Sequence, residues 1–106
     1  MKRGEVWTLR DDNYASKARP VVIVQSDDYN DFDSIILCLF TSFEAEDRET
    51  RVMINPTDKN GLNKKSYVMT DKIVTVKKTM LHEAIGKLSN EEMKEISQKL
   101  KDILGL

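Results

Sequence analysis

The fold is decided by residues 21–24, which read Val-Val-Ile-Val, and by residues 35–40, which read Ile-Ile-Leu-Cys-Leu-Phe. Both runs are of strand length and contain many β-branched residues, which favour extended backbone. Both are also apolar at every position, whereas a strand with one solvated face alternates between apolar and polar residues. We therefore predict that these two runs are the central strands of a sheet that is covered on both faces.

Shorter apolar runs surround the central pair. They occupy residues 6–9, 51–54, 67–69 and 73–76. Turn-type residues separate them, such as Asp11-Asp12-Asn13 and Asn60-Gly61, and this spacing is typical of antiparallel sheets and small barrels. The sequence thus predicts a mainly β domain built from short antiparallel strands.

The last segment changes to a helical period. Ser89 is followed three residues later by Glu92, which together form a capping box at a helix start. Apolar residues then recur at helical spacing, at Met93, Ile96, Leu100, Ile103 and Leu104. Gly105 is placed to end the helix. We predict one C-terminal amphipathic helix packed on the sheet, and, because no linker or repeat is visible, a single domain over residues 1–106.

Composition narrows the function classes. The chain has 106 residues, of which 40% are apolar and 33% charged, as expected of one globular domain. The single cysteine, Cys38, cannot form an intramolecular disulfide, and no Cys/His cluster resembles a zinc site. We expect no metal and no cofactor. No apolar run reaches the roughly 20 residues that span a bilayer, so we expect a cytoplasmic protein without a membrane anchor.

Charge is segregated along the chain although the net charge is only -1. Residues 26–50 hold eight carboxylates and one arginine, whereas residues 64–78 hold five lysines and one aspartate. Overall charge therefore does not favour non-specific binding to nucleic acid, and any phosphate-binding surface has to be local.

Several motifs in a fixed order resemble one known family. They are Arg3-Gly4-Glu5-Val6-Trp7, the stretch 17–27 with its Arg19-Pro20 pair, Phe40-Thr41-Ser42, the stretch 66–73, and the helix start at residues 88–93. In this order and at this length, the chain resembles the MazF/PemK toxins of bacterial toxin–antitoxin pairs. The resemblance implies an SH3-like, partly barrelled antiparallel sheet with a C-terminal α-helix, a homodimer, and a metal-independent ribonuclease that cuts single-stranded RNA at short motifs.

The resemblance also implies three catalytic residues. Arg19 matches the catalytic arginine, and its planar, permanent cation suits charge on a phosphoryl group; the alternative is a strand-edge arginine with its stem packed on the sheet. Thr41 matches a catalytic threonine or serine at a strand end, where it would hold the phosphate or the 2′-hydroxyl. Asp71 matches the general base of the PemK branch. The arginine that accompanies this base in that branch is not matched, because this chain has Met69 two places earlier. The alternative is that Asp71 is a surface carboxylate paired with a lysine.

Further residues are candidates for RNA binding. They are Lys17, Ser42, Lys64, Lys65, Lys72 and Lys77, together with Tyr14 as a stacking platform for a base. For the lysines, the alternative is a solvated face without a ligand. The loop of residues 10–18 is shorter than in many family members and lacks glycine, which leaves open how fully it covers an RNA groove.

Three functions remain open from the sequence. The resemblance favours a toxin that cuts messenger RNA and is restrained by a cognate antitoxin whose acidic C-terminal tail covers the basic groove. A gyrase-poisoning toxin of the same fold would depend on a Trp-Gly-Ile C-terminus, whereas this chain ends Ile103-Leu104-Gly105-Leu106. A non-catalytic SH3-like binding module is the third possibility, since a fold alone does not establish a function.

Overall fold

A computed structural model describes residues 1–11, 15–43 and 49–106, and for residues 11, 15 and 16 it describes the backbone alone. The described part contains six strands and one α-helix. In chain order they are β1 (Glu5–Asp11), β2 (Ala15–Ile23), β3 (Ser34–Thr41), β4 (Arg51–Ile54), β5 (Ser66–Lys77), β6 (Leu81–Lys87) and α1 (Asn90–Leu104). Single 3-10 turns, Asp27–Tyr29 and Lys78–Met80, precede β3 and β6.

The strands form one sheet in the order β4-β5-β3-β2-β1-β6, and each neighbouring pair is antiparallel. The two runs that decide the fold lie in β2 and β3, at the centre of the sheet, as predicted. The predicted mainly β architecture with a C-terminal helix is confirmed. Within the described residues β4 and β6 are the two edges and do not pair, so the sheet is open and not a closed barrel.

Three features of the sheet differ from the sequence prediction. Most of the predicted loop of residues 10–18 is strand, because β1 continues to Asp11 and β2 already begins at Ala15, and the two strands pair there. The runs 67–69 and 73–76 belong to one long strand, β5, which continues through a bulge: Leu39 pairs with Met69, but the preceding Cys38 pairs with Ile73. Three residues, 70–72, are therefore additional on β5. Strand β6 was not predicted, because its sequence of Leu-His-Glu-Ala-Ile-Gly-Lys neither alternates nor forms an apolar run, and most of it is exposed at the edge.

The sheet has a hydrophobic core on each face. The core under α1 contains Val22, Cys38 and Phe40 from the central strands and Ile96 from the helix. The opposite core contains Leu9, Val21, Ile23, Ile35 and Leu37, among others. Successive residues of β2 and β3 thus enter opposite cores, which is why these strands are apolar without alternation.

Helix α1 begins and ends where the sequence predicts. The Ser89 hydroxyl accepts from the Glu92 amide at 3.1 Å, and the Glu92 carboxylate accepts from the Ser89 amide at 2.9 Å. Gly105 ends the helix with φ +71°, in the left-handed region. No helix in the described ranges is long and apolar enough to cross a membrane.

Candidate functional site

A cavity of about 370 Å³ opens between the start of β2 and the end of β3. Its lining comes from three separate segments: the early part of β2, the end of β3, and the approach to β5. The lining residues are Lys17, Ala18, Arg19, Pro20, Phe40, Thr41, Ser42, Lys64 and Ser66. The structure therefore brings together Lys17, Arg19, Thr41, Ser42 and Lys64, five of the residues that the sequence singled out.

Pro20 explains why there is space between two central strands. The ladder of β2 with β3 pairs Ile23 with Leu37 and Val21 with Leu39, and it extends no further. Proline has no backbone N–H and cannot donate the next hydrogen bond of the ladder. Beyond Val21 the strands separate, while β2 stays paired with β1 on its other side, where Pro20 faces Thr8. The break in the ladder creates the cavity.

The same register places the two principal side chains on one face. If the pairing of Val21 with Leu39 is continued by two residues along each strand, Arg19 lies opposite Thr41. Residues that are opposite each other in an antiparallel pair point to the same face. A smaller cavity of about 120 Å³ lies where the two strands separate. Arg19 and Thr41 both line it, together with Leu39 and Met69.

Hydrogen bonds orient the Thr41 hydroxyl. Its Oγ1 accepts from the backbone amide of Phe43 at 3.1 Å, a short side-chain-to-backbone turn. The Phe43 carbonyl in turn accepts from Nη1 of Arg51 at 2.9 Å. Sequence reasoning missed Arg51, because the signal that connects it to Thr41 is a tertiary contact between β4 and the segment after β3.

The larger cavity is cationic. Lys17, Arg19 and Lys64 contribute three positive side chains, and no aspartate or glutamate is among its described lining residues. Ser66, which is buried, donates from its hydroxyl to the Lys64 carbonyl at 3.0 Å and so fixes the backbone that carries this lysine. The lining suits an anionic ligand such as a nucleic-acid backbone.

Asp71 and Lys72 do not join this cavity. Both lie in the bulge of β5, both are exposed, and neither lines the cavities that contain Arg19 and Thr41. The Asp71 Oδ1 lies 3.5 Å from the Thr50 hydroxyl. The bulge therefore places the predicted base beside Thr50, next to the start of β4, and outside the lining of both cavities.

The predicted lysine surface is divided along β5. Tyr67 of β5 pairs with Thr41 at the cavity end of β3, whereas Lys77 pairs with Ser34 at the other end. Ser34 and Thr41 are seven residues apart, which is roughly 23 Å at the rise of an extended strand. Lys65 is exposed but does not line the cavity. Tyr14 lies outside the described residues.

Other reactive side chains stand apart from the site. Cys38 is buried in the core beneath α1, and this burial raises the pKa of its thiol to about 12. His82 is exposed on β6, at the edge of the sheet. In the described part of the chain, no three or more His, Cys, Asp or Glu residues cluster in a way that could hold a metal ion.

Comparisons with known proteins agree with this fold. Residues 2–104 match the family model of the PemK-like, MazF-like toxin of type II toxin–antitoxin systems. A probable endoribonuclease MazF of Mycolicibacterium smegmatis is 32% identical over 107 residues, covering 100% of this chain and 98% of the relative.

Solved structures give the same result. An endoribonuclease in complex with its cognate antitoxin, from mycobacterial species, superposes with a TM-score of 0.84 at 28% identity, covering 100% of this chain and 96% of that one. A second mycobacterial endoribonuclease has a TM-score of 0.81 at 26% identity, covering 100% and 92%. From its sequence, its open six-stranded sheet and these relatives, the chain belongs to the PemK-like, MazF-like family of toxins.

Proposed function

We propose that this protein is an endoribonuclease toxin that cuts single-stranded RNA in the cytoplasm and so stops translation. The observation that carries the proposal is that Arg19 and Thr41 both line a cationic cavity where the β2–β3 ladder ends. The naming of the relatives as endoribonucleases supports it.

The reaction uses a nucleophile that the substrate itself carries. The ribose 2′-oxygen bonds to the adjacent phosphorus, the bond from phosphorus to the 5′-oxygen breaks, and the proton lost from the 2′-hydroxyl is balanced by one gained at the leaving 5′-oxygen. The products are a 2′,3′-cyclic phosphate and a 5′-hydroxyl. DNA lacks the 2′-hydroxyl and is therefore not a substrate. Because the nucleophile is internal, we propose that no metal or cofactor takes part.

Arg19 stabilises the negative charge that develops on the phosphoryl oxygens. Its guanidinium can donate two parallel hydrogen bonds to the non-bridging oxygens, which carry extra negative charge in the transition state. The fixed φ of Pro20 limits the freedom of the backbone that carries Arg19. In this role Arg19 binds the transition state more tightly than the substrate, so its removal lowers the cleavage rate more than the affinity.

Thr41 supplies an oriented proton donor. A hydroxyl has two acceptor lone pairs and one O–H, and the Phe43 amide already occupies one acceptor position. The O–H of Thr41 can therefore donate to a phosphate oxygen in the cavity. Lys17 and Lys64 bind phosphates on either side of the scissile bond, which makes RNA affinity depend on salt. Ser42 provides a further hydroxyl at the cavity rim.

The test is cleavage of a long single-stranded RNA in excess EDTA. We expect products with 5′-hydroxyl ends, no cleavage of a DNA of the same sequence, and protection of RNA that carries 2′-deoxy sugars at the cut sites. Arg19→Met keeps the aliphatic stem but removes the cation, and should slow cleavage by about 10³-fold or more, by analogy with arginines that stabilise phosphoryl transfer. Intact RNA with the wild-type protein, or activity in Arg19→Met equal to wild type, would refute the proposal.

We also propose a cognate antitoxin as partner and a homodimer as the assembly. An acidic C-terminal tail of the antitoxin complements a cavity that has three cations and no described carboxylate. Antitoxin and RNA should then compete for one site, and Arg19→Met should weaken both. Light scattering at a mass near one subunit, of 12.2 kDa, would contradict the homodimer.

A further inference from the structure

We propose that Arg51 is a positioning residue, which holds the hydroxyl of Thr41 in its working orientation through the main chain of Phe43. The inference rests on the proposed function, because Thr41 needs a fixed orientation only if it assists a reaction. It assigns a task to a residue that lies outside the lining of both cavities.

The sheet register places Arg51 on the face of the site. Arg51 is the first residue of β4 and lies directly opposite Met69 of β5. On its other side Met69 lies opposite Leu39, which precedes Thr41 by two residues on β3. Opposite residues share a face, and so do residues two apart along a strand. The side chains of Arg51 and Thr41 therefore emerge on the same face of the sheet.

A chain of two hydrogen bonds connects them. Nη1 of Arg51 donates to the Phe43 carbonyl at 2.9 Å, and the Phe43 amide donates to Oγ1 of Thr41 at 3.1 Å. Phe43 is 70% exposed and gives the segment little apolar anchoring. The conformation of residues 41–43 consequently depends on these polar contacts.

The inner part of the Arg51 guanidinium is buried. Its Nε has no hydrogen-bond partner among the residues that the structure describes. Burial restricts the rotamers that the side chain can adopt, so Nη1 stays within reach of the Phe43 carbonyl.

The consequence for catalysis is orientation of the O–H. While the Phe43 amide occupies one acceptor lone pair of Oγ1, the hydroxyl proton is directed elsewhere and is available to a phosphate oxygen. Without Arg51 the segment can relax, the Phe43 amide can leave Oγ1, and the threonine can sample other staggered rotamers. Misplacement of a positioned group by about 1 Å can cost up to 10²-fold in rate.

The experiment is a double-mutant cycle on single-turnover cleavage. Arg51→Met keeps the stem and removes the donors, Thr41→Val removes the hydroxyl and keeps the shape, and the third variant carries both changes. Affinity is measured separately, with RNA that carries a 2′-deoxy sugar at the scissile position. Lys94→Met removes one positive charge from an exposed position of α1 and serves as the control.

We expect Arg51→Met to slow cleavage at saturating RNA by about 10- to 100-fold while the dissociation constant changes less than threefold, consistent with loss of orientation alone. In the Thr41→Val background the same change should add less than threefold, because coupled residues are not additive. Arg51→Lys should recover part of the rate, and Lys94→Met should match the wild type.

Two results would overturn the inference. One is full additivity of Arg51→Met with Thr41→Val. The other is a weaker RNA affinity with an unchanged rate at saturation, which would make Arg51 a phosphate ligand. If Arg51→Met does not fold, as judged by circular dichroism, Arg51→Leu, which also removes the donors, completes the same cycle. A wild-type protein that cuts no RNA refutes the proposed function, whereas an active wild type with an additive cycle refutes this inference alone.

Discussion

Gly86→Ala probes the tight packing of β6 against the segment that leads to the cavity. An alanine Cβ at position 86 would lie 2.3 Å from the Lys59 carbonyl oxygen and 2.4 Å from the Asn60 carbonyl carbon. Ordinary contact begins near 3.4 Å, so strand and segment would have to separate by about 1 Å. Both neighbours are backbone atoms, which cannot move aside by a change of rotamer.

The expected loss of stability follows from these contacts. Overpacking of this kind costs about 1–3 kcal/mol. The separation also stretches the hydrogen bond from the Lys87 amide to the Lys59 carbonyl, now 2.8 Å, which contributes about 1 kcal/mol. We therefore expect Gly86→Ala to lower the free energy of unfolding by about 3 kcal/mol, measured by urea denaturation with an unchanged slope m.

Gly105→Ala is the matched control. Gly105 has φ +71°, but no atom lies within 4 Å of the position that an alanine Cβ would take, so its substitution tests backbone strain without crowding. We expect a loss of about 1 kcal/mol, the lower end of the cost of a left-handed residue with a side chain. A smaller loss for Gly86→Ala than for Gly105→Ala would refute the reasoning, since close backbone packing would then not be what requires glycine at position 86.

Three further predictions test other parts of the structure. Asp71→Asn should keep single-turnover RNA cleavage within threefold of wild type, because Asp71 lies outside the lining of the Arg19 cavity; a loss above 100-fold would show that Asp71 acts as the base. Cys38 should not react with a thiol-specific disulfide reagent at pH 8 until the protein unfolds, because burial raises its pKa to about 12. This buried thiol contributes stability below the ordinary thiol pKa, and that contribution should decline as pH rises toward 12. Ser89→Ala should lower the free energy of unfolding by about 1 kcal/mol in a thermal melt, because it removes the capping box; an unchanged melt would show that the cap is not needed.

The parts of the fold with local signals were predictable. The capping box at Ser89 and the left-handed Gly105 act within one turn of the chain, so both ends of α1 could be predicted from neighbouring residues. Strand β4 was also predictable, since its predicted bounds of 51–54 match the structure. The apolar runs of β2 and β3 identified the central strands, because only strands covered on both faces lack polar positions.

The parts that depend on tertiary pairing were not predictable. Strand β6 is held by its pairing with β1 and by the Lys59 carbonyl, and its own sequence gives no strand pattern. The distance between Lys64 and Lys77 was not predictable, because proximity in sequence does not show that a twelve-residue strand lies between them. The hydrogen bond of Arg51 with Phe43 joins β4 to the segment after β3. No periodic pattern in the sequence indicates that these two segments are neighbours.

The bulge of β5 carries exposed side chains that the pairing of β5 with β3 does not need. Met69 and Ile73 keep their partners on β3, so the register on either side of the bulge does not depend on the side chains at positions 71 and 72. Both of these positions are exposed, and exposed substitutions usually change stability by less than about 0.5 kcal/mol. A library randomised at these two positions should therefore consist largely of folded proteins. The sheet thus offers a site where the surface can diversify while the architecture stays constant.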